Sequence, residues 1–256
     1  NKLRFKLPKS LASNNSEKKS ELAYKRVLLK LSGEVFKGES EDVFDGKVLM
    51  DLAKQVKEVV DLGCEVGIVI GGGNIWRFRD NEHLRLPRVT SDMMGMLATV
   101  MNALAFEAAL NDLGCEARAM SALGCEAALE RYSAKKAKAH LAKGRVVIFA
   151  GGTGSPFFTT DSAAALRALE IGADVLLKAT KVDYVYDKDP KKHADAVKYE
   201  ELSFEEVLEK RLGVMDLTCA ALCQDGGMPM VVFNLEVEGN ILKVVRGEDI
   251  GTQIKN

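Results

Sequence analysis

Lys30, Leu31, Ser32 and Gly33 put an ammonium, a hydroxyl and a glycine into four residues at the end of an apolar run. A lysine there can reach phosphate oxygens while nearby backbone N–H groups cradle the rest; it could equally snorkel from a strand end. Two further glycine-rich stretches follow, 71–74 and 151–154, the second running on to Asp161 through Ser155, Pro156, Phe157, Phe158, Thr159 and Thr160. Neither is a Walker loop, since GxxxxGK[ST] does not occur, and neither has the GxGxxG spacing of a dinucleotide fold. Arg77, just after the triple glycine, offers a fork-shaped donor suited to phosphate. Asp92 either compensates a helix dipole or accepts from ribose hydroxyls. Asp161 either caps the helix after its loop or organises a cation there, because an anion at a phosphate-binding helix end needs one beside it. Asp183, Asp187 and Asp189 around Tyr184 and Tyr186 form an acidic, aromatic loop able to grip a nucleoside.

Such groups suit phosphoryl transfer, which consists mostly of positioning and charge neutralisation. A phosphate acceptor is already largely ionised at neutral pH, so no general base is required, and His83, His140 and His193 receive no task.

The elements that must position these residues read as alternating strands and helices. Strands are expected over residues 26–31, 65–70, 116–120, 145–149, 173–179 and 230–234. Helices are expected over 47–62, 91–113 with Ser91 as N-cap, 133–143, from Asp161 to about the stop at Gly172, 216–224 and 241–246. The string Asp-Leu-Gly-Cys-Glu occurs at 61–65 and again at 112–116, each time where a helix gives way to a strand. This alternation predicts a mostly parallel sheet covered on both faces, with ligands beyond the carboxyl ends of the strands. That rule gathers residues 30–33, 71–74, 151–160 and the segment after Ala179 on one edge. Three glycine loops on one edge suit a long, multiply phosphorylated ligand.

Residues 1–23, rich in Lys, Ser and Asn, read as a flexible tail, with the remnant of an organelle-targeting segment as an alternative. Residues 24–256 read as a single domain. A formal charge of −1 gives no sign of a nucleic-acid or membrane partner, and no apolar run approaches a membrane span. Five scattered cysteines without a CxxC pair point to reduced thiols. Cys219 and Cys223 share a helix face but make an incomplete zinc site, and no metal-ligand set is read.

The motifs together resemble the bacterial-type uridylate kinases of the amino acid kinase superfamily. The matching strings are Leu28-Leu-Lys-Leu-Ser-Gly-Glu34, Gly71-Gly-Gly-Asn-Ile-Trp-Arg77, Asp92-Met-Met-Gly-Met-Leu-Ala-Thr-Val-Met-Asn102, Gly152-Thr-Gly-Ser-Pro-Phe-Phe-Thr-Thr-Asp161, Lys178-Ala-Thr-Lys-Val-Asp183 and Val214-Met-Asp216. The resemblance implies a three-layer αβα sandwich with a mostly parallel sheet, and transfer of the γ-phosphoryl group of ATP to UMP with Mg²⁺ in pyrimidine nucleotide synthesis. It implies a homohexamer in the cytoplasm, or alternatively the plastid stroma, with UTP as inhibitor. A GTP effector is a family expectation that the acidic segment 38–44 does not support. Carried over by position, Lys30, Leu31, Ser32, Gly33, Gly73 and Arg77 meet ATP phosphates, and Thr180, Tyr186 and Asp189 surround the adenosine. Gly72, Asp92 and Thr153, Gly154, Ser155, Pro156, Phe157, Phe158, Thr159 and Thr160 hold UMP. Lys30, Arg77 and Asp161 are the catalytic set, with Lys178 and Asp174 as secondary candidates. Tyr184 departs from the family's usual glycine, and Arg79 departs after Phe78. The alternatives are a carbamate or N-acetylglutamate kinase, or a nucleotide-binding storage protein of the same fold.

Overall fold

The computed structural model describes residues 22–256. Residues 1–21 of the expected 1–23 tail lie outside the described residues. Already at Ala23 the backbone N–H donates to Val245 O at 3.0 Å, and Leu22 packs against the core.

In chain order the elements are β1 (Arg26–Leu31), α1 (Gly46–Asp61), β2 (Glu65–Ile70), α2 (Arg88–Asp112), β3 (Ala117–Ser121), β4 (Glu130–Arg131), α3 (Ala134–Leu141) and β5 (Val146–Ala150). They continue with α4 (Thr160–Ile171), β6 (Val175–Thr180), β7 (Val185–Tyr186), β8 (Lys198–Tyr199), β9 (Glu201–Ser203), α5 (Phe204–Glu209), α6 (Leu217–Gly226), β10 (Met230–Asn234), α7 (Asn240–Val245) and β11 (Thr252–Lys255). The main sheet runs β4-β3-β5-β2-β1-β6-β10-β11-β9 and is parallel except where β11 pairs with β10. β7 and β8 form a separate antiparallel ribbon.

Both faces of the central strands are apolar, and the period of two sorts them. Val27, Leu29 and Leu31 of β1 join Val56 of α1, Phe106 of α2 and Val244 of α7 in one core. Leu28 faces the other way, with Ala164 and Ala168 of α4, Leu141 of α3 and Cys223 of α6. The result is the expected three-layer αβα sandwich. The repeated Asp-Leu-Gly-Cys-Glu string ends α1 and α2 alike: Gly63 and Gly114 take φ of 94° and 71°, and Cys64 and Cys115 turn inward as small hydrophobes.

Two expectations are corrected. Ser91 is not the N-cap of α2, because Pro87 precedes a helix that begins three residues earlier, at Arg88. Ser91 is buried and accepts from Trp76 Nε1 at 2.8 Å. Helix α2, moreover, is long and apolar enough to cross a membrane by length and composition, although the sequence reading found no such run. Its apolarity is spread through alanine and methionine between isolated polar residues, and half of its most apolar stretch is buried against the sheet.

Candidate active site

The site starts from strand register. Period two places Lys30 on the face of Leu28, and Lys178 on the face of Leu176. β1 and β6 pair in parallel with Lys30 opposite Lys178, so two ammonium groups project side by side over the carboxyl edge of the sheet. The N-terminus of α4 covers that face. Asp161 Oδ1 lies 2.8 Å from Lys30 Nζ, and Asp161 Oδ2 accepts from Lys178 Nζ. The three side chains are only 10–15% exposed. Burial alone would raise the Asp161 pKa, but the charges of Lys30 and Lys178 hold it below the usual carboxylate range. Burial and the neighbouring Lys30 charge push the Lys178 ammonium down. Two cations and one anion leave one net positive charge at a helix N-terminus.

Asp161 does not cap its helix. Thr159 is the N-cap, its hydroxyl accepting from the N–H groups of Asp161 and Ser162 at 3.1 and 3.3 Å. The Asp161 carboxylate is therefore free for the lysines. Thr159 also donates to Asp216 Oδ2, and Asp216 Oδ1 accepts from Ser162 Oγ at 2.8 Å while capping α6. The Val-Met-Asp string thus ties α6 to the loop that carries Asp161. Asp174, a secondary candidate, is excluded from the site. Its carboxylate accepts from the N–H groups of Lys25 and Arg26, at the amino end of β1, roughly 13 Å of strand away from Lys30.

The glycine loops meet here by necessity. A Cβ on Gly33 would stand 2.3 Å from Gly71 O and 2.5 Å from Asn74 Oδ1. A Cβ on Gly72 would stand 2.6 Å from Gly95 O. Only hydrogen lets the backbones approach so closely. Asn102 of α2 fixes the second loop, donating to Gly71 O at 2.7 Å. Leu31 is fully buried in the core, so only its backbone faces the edge; Ser32 caps the short turn after β1.

A cavity of about 620 Å³ opens beside Thr160, the neighbour of Asp161. Gly72, Asp92, Thr153, Phe158, Thr159 and Thr160 line it, as expected for one ligand, and Gly73 and Arg77 from the other expected set stand in the same wall. Arg77 pairs with Glu34. Gly154, Ser155, Pro156 and Phe157 do not line this cavity. The loop turns outward there, with Phe157 at φ 70° and 67% exposed, anchored by its N–H donating to Asp92 Oδ2 at 2.8 Å. Arg88, which sequence reasoning missed, joins the wall, paired with Asp92 at 2.7 Å and stacked on Phe78. Its four-residue spacing to Asp92 on one helix was the available signal.

A separate cavity of about 430 Å³ collects Thr180, Tyr184, Tyr186 and Asp189. Lys210, Arg211 and Val214 close it, from the end of α5 and the segment after it. Lys210 and Arg211 were missed because α5 itself was not anticipated. Tyr184 stands at a position whose backbone is not left-handed, so no glycine is needed; its ring receives Lys198 Nζ at 4.4 Å from the centroid. All five cysteines are free thiols. A hydrogen bond with Cys223 and burial push the Cys219 thiol up, which keeps it protonated beside Lys178.

The sequence profile of the amino acid kinase family matches residues 25–234. Uridylate kinases of Xanthomonas oryzae pv. oryzae and Xanthomonas euvesicatoria pv. vesicatoria are each 52% identical over 236 residues, covering 92% of this chain and 98% of the relative. The chain belongs to the amino acid kinase family, on its uridylate kinase branch. The UMP kinase of Bacillus anthracis superposes with a TM-score of 0.88 at 38% identity, covering 91% of this chain and 96% of that one. The UMP kinase of Ureaplasma parvum gives a TM-score of 0.86 at 38% identity, covering 91% and 99%. Within this branch the buried Lys30–Asp161–Lys178 cluster is the candidate transfer centre.

Proposed function

We propose that the chain transfers the γ-phosphoryl group of ATP to UMP, giving ADP and UDP for pyrimidine nucleotide synthesis. The observation that carries this reading is the buried lysine–aspartate–lysine cluster on the carboxyl edge of the sheet, with Thr160, next to Asp161, lining one cavity and Thr180, two residues beyond Lys178, lining another. A phosphate donor and a phosphate acceptor must converge on one cation, and this arrangement allows it.

In this reading UMP occupies the larger cavity. Arg77 and the threonines near the start of α4 face its phosphate, and Asp92 takes ribose hydroxyls. ATP places its adenosine between Thr180, Tyr186 and Asp189, and runs its phosphates past Ser32, Gly33 and the backbone of Gly73 towards Lys30. Lys30 neutralises charge on the transferring phosphoryl oxygens, while Asp161 fixes its ammonium. The acceptor phosphate is ionised near neutrality and attacks without a base. Mg²⁺ bound with ATP would supply further neutralisation of phosphate charge beside Lys30; among the described residues no group of three or more His, Cys, Asp or Glu is placed to hold a metal ion.

We place the reaction in the cytoplasm, with a plastid stroma as the alternative, and assign the enzyme a homohexameric assembly. Val89, Met93, Leu97 and Met101 of α2 support self-association: they recur every four residues and are 39–51% exposed, a stripe that a second copy would cover. A coupled ADP-release assay with ATP and a panel of UMP, CMP, carbamate and N-acetylglutamate tests the reaction. Turnover with UMP is expected; ADP release no faster with UMP than without an acceptor refutes the proposal.

A further inference from the structure

Arg167 of α4 carries a full charge in the interior, its side chain only 5% exposed, and takes no part in the chemistry above. A buried guanidinium has to be paired and hydrogen-bonded, so its partners show what it holds. Nη1 donates to Glu170 at 2.6 Å, three residues on along the same helix. The face of the fork lies on the Tyr132 ring, 3.9 Å from the centroid. Tyr132 in turn donates to Glu170 and meets Phe149 of β5 edge-on at 5.6 Å. Nη2 is left for another partner, the backbone oxygen of Gly152, at 3.1 Å. Gly152 lines the larger cavity; Arg167 does not.

Residues 151–154 cannot hold themselves. Gly151, Gly152 and Gly154 take positive φ and bring no side chains, so other groups must order this backbone. Thr99 Oγ1 accepts from Gly151 N–H at 2.8 Å, and Gly154 N–H donates back to Gly151 O at 2.9 Å. Between these two anchors Arg167 is the one partner of Gly152 O among the described residues. The Gly152–Thr153 peptide bond is trans, so a carbonyl turned towards Arg167 sends the Thr153 N–H the opposite way. That N–H has no protein acceptor among the described residues, and Thr153 lines the cavity. We propose that Arg167 is a positioning residue for the acceptor nucleotide: it clamps Gly152 O and so presents the Thr153 end of the loop to UMP. The proposal rests on the kinase reading above and deepens it. Arg167 stands six residues after Asp161 on α4, roughly 9 Å along the helix axis. One rigid helix therefore sets both the carboxylate of the transfer centre and the loop that seats the acceptor.

The test is steady-state kinetics on the full chain, with KM measured separately for UMP and ATP. Arg167→Met is expected to raise KM for UMP about tenfold, because the substrate itself must then order a loosened glycine loop. KM for ATP and kcat are expected to stay within about threefold of wild type, since Arg167 lines neither the smaller cavity nor the space around Lys30. A merely structural arginine would lower the folded fraction, which scales kcat and leaves both KM values alone. A KM for UMP within about threefold of wild type, or two KM values that rise together, overturns the proposal. Should Arg167→Met fail to fold by circular dichroism, Arg167→Lys takes its place. It keeps a charge for Glu170 but loses the fork that reaches Gly152 O at the same time. The same selective rise in KM for UMP is expected, and wild-type values overturn the proposal. Wild-type enzyme inactive on UMP overturns the kinase reading and this inference with it, whereas active wild type with an unaffected KM for UMP in the variant overturns this inference alone.

Discussion

Replacing Asp161 by Asn removes one charge and no volume, and leaves two ammonium groups facing each other in a site whose side chains are 10–15% exposed. At 2.8 Å the Lys30–Asp161 attraction alone is about 6 kcal/mol for an effective dielectric of ~20, most of it offset by desolvation. Removing one partner of a buried pair costs about 3–5 kcal/mol, and the amide oxygen of Asn can still accept from Lys178, so the lower end, ~3 kcal/mol, applies here. At roughly 2–4 °C per kcal/mol for a chain of this size, Tm should fall by about 6–12 °C near neutral pH. The gap should depend on pH with a definite sign. Lys178 already has a folded pKa below its ordinary value of 10.5, and loss of Asp161 lowers it further. The unfolded chain then binds more protons than the folded one between the two pKa values, so the stability of the variant rises with pH across that window. Scanning calorimetry of both proteins at about pH 7 and about pH 9.5 should therefore show the Tm difference narrowing. In the wild type the lowered Asp161 pKa contributes stability that is present above the ordinary carboxyl value of 3.8 and lost as pH falls through the folded value. The variant lacks that acid limb. An unchanged or raised Tm at neutral pH, or a difference that stays constant up to alkaline pH, refutes the assignment of Asp161 as the shared counter-ion of two charged lysines.

Other perturbations read other parts of the site. Gly33→Ala puts a methyl 2.3 Å from Gly71 O and must push the two phosphate loops apart, so kcat/KM for ATP should drop about 10²-fold in steady-state assays; near wild-type values would show that the loops need not touch. Thr159→Ala removes the α4 cap and its link to Asp216, and should lower stability by about 1–2 kcal/mol in denaturant titrations; an unchanged midpoint would count against the cap. Leu97→Glu places a charge at the centre of the α2 stripe at a position half exposed in the single chain, so light scattering should report a smaller assembly with the fold intact; an unchanged mass would remove that face from the interface.

The large strands were legible because both faces are packed: β1, β2 and β10 fall on the residues that continuous apolar runs mark out. The short strands β4, β7, β8 and β9 were not, since elements of two or three residues carry no period and exist only through their partners. Within the site the sequence by itself determined the parts, namely Lys30 after an apolar strand, three glycine loops at strand ends, and Asp161 at a helix start. It left Asp161 between a capping and a charge-organising role. The tertiary structure decided that, because Thr159 takes the cap and parallel register brings Lys178 beside Lys30 from 148 positions away in the chain. Arg88 and Lys210 enter the two cavities, and Asp174 leaves for the opposite edge, by the same kind of long-range placement. Local pattern fixes what a residue can do chemically. Which charge stands next to which depends on strand register and helix packing, and those are properties of contacts that no short stretch of chain contains.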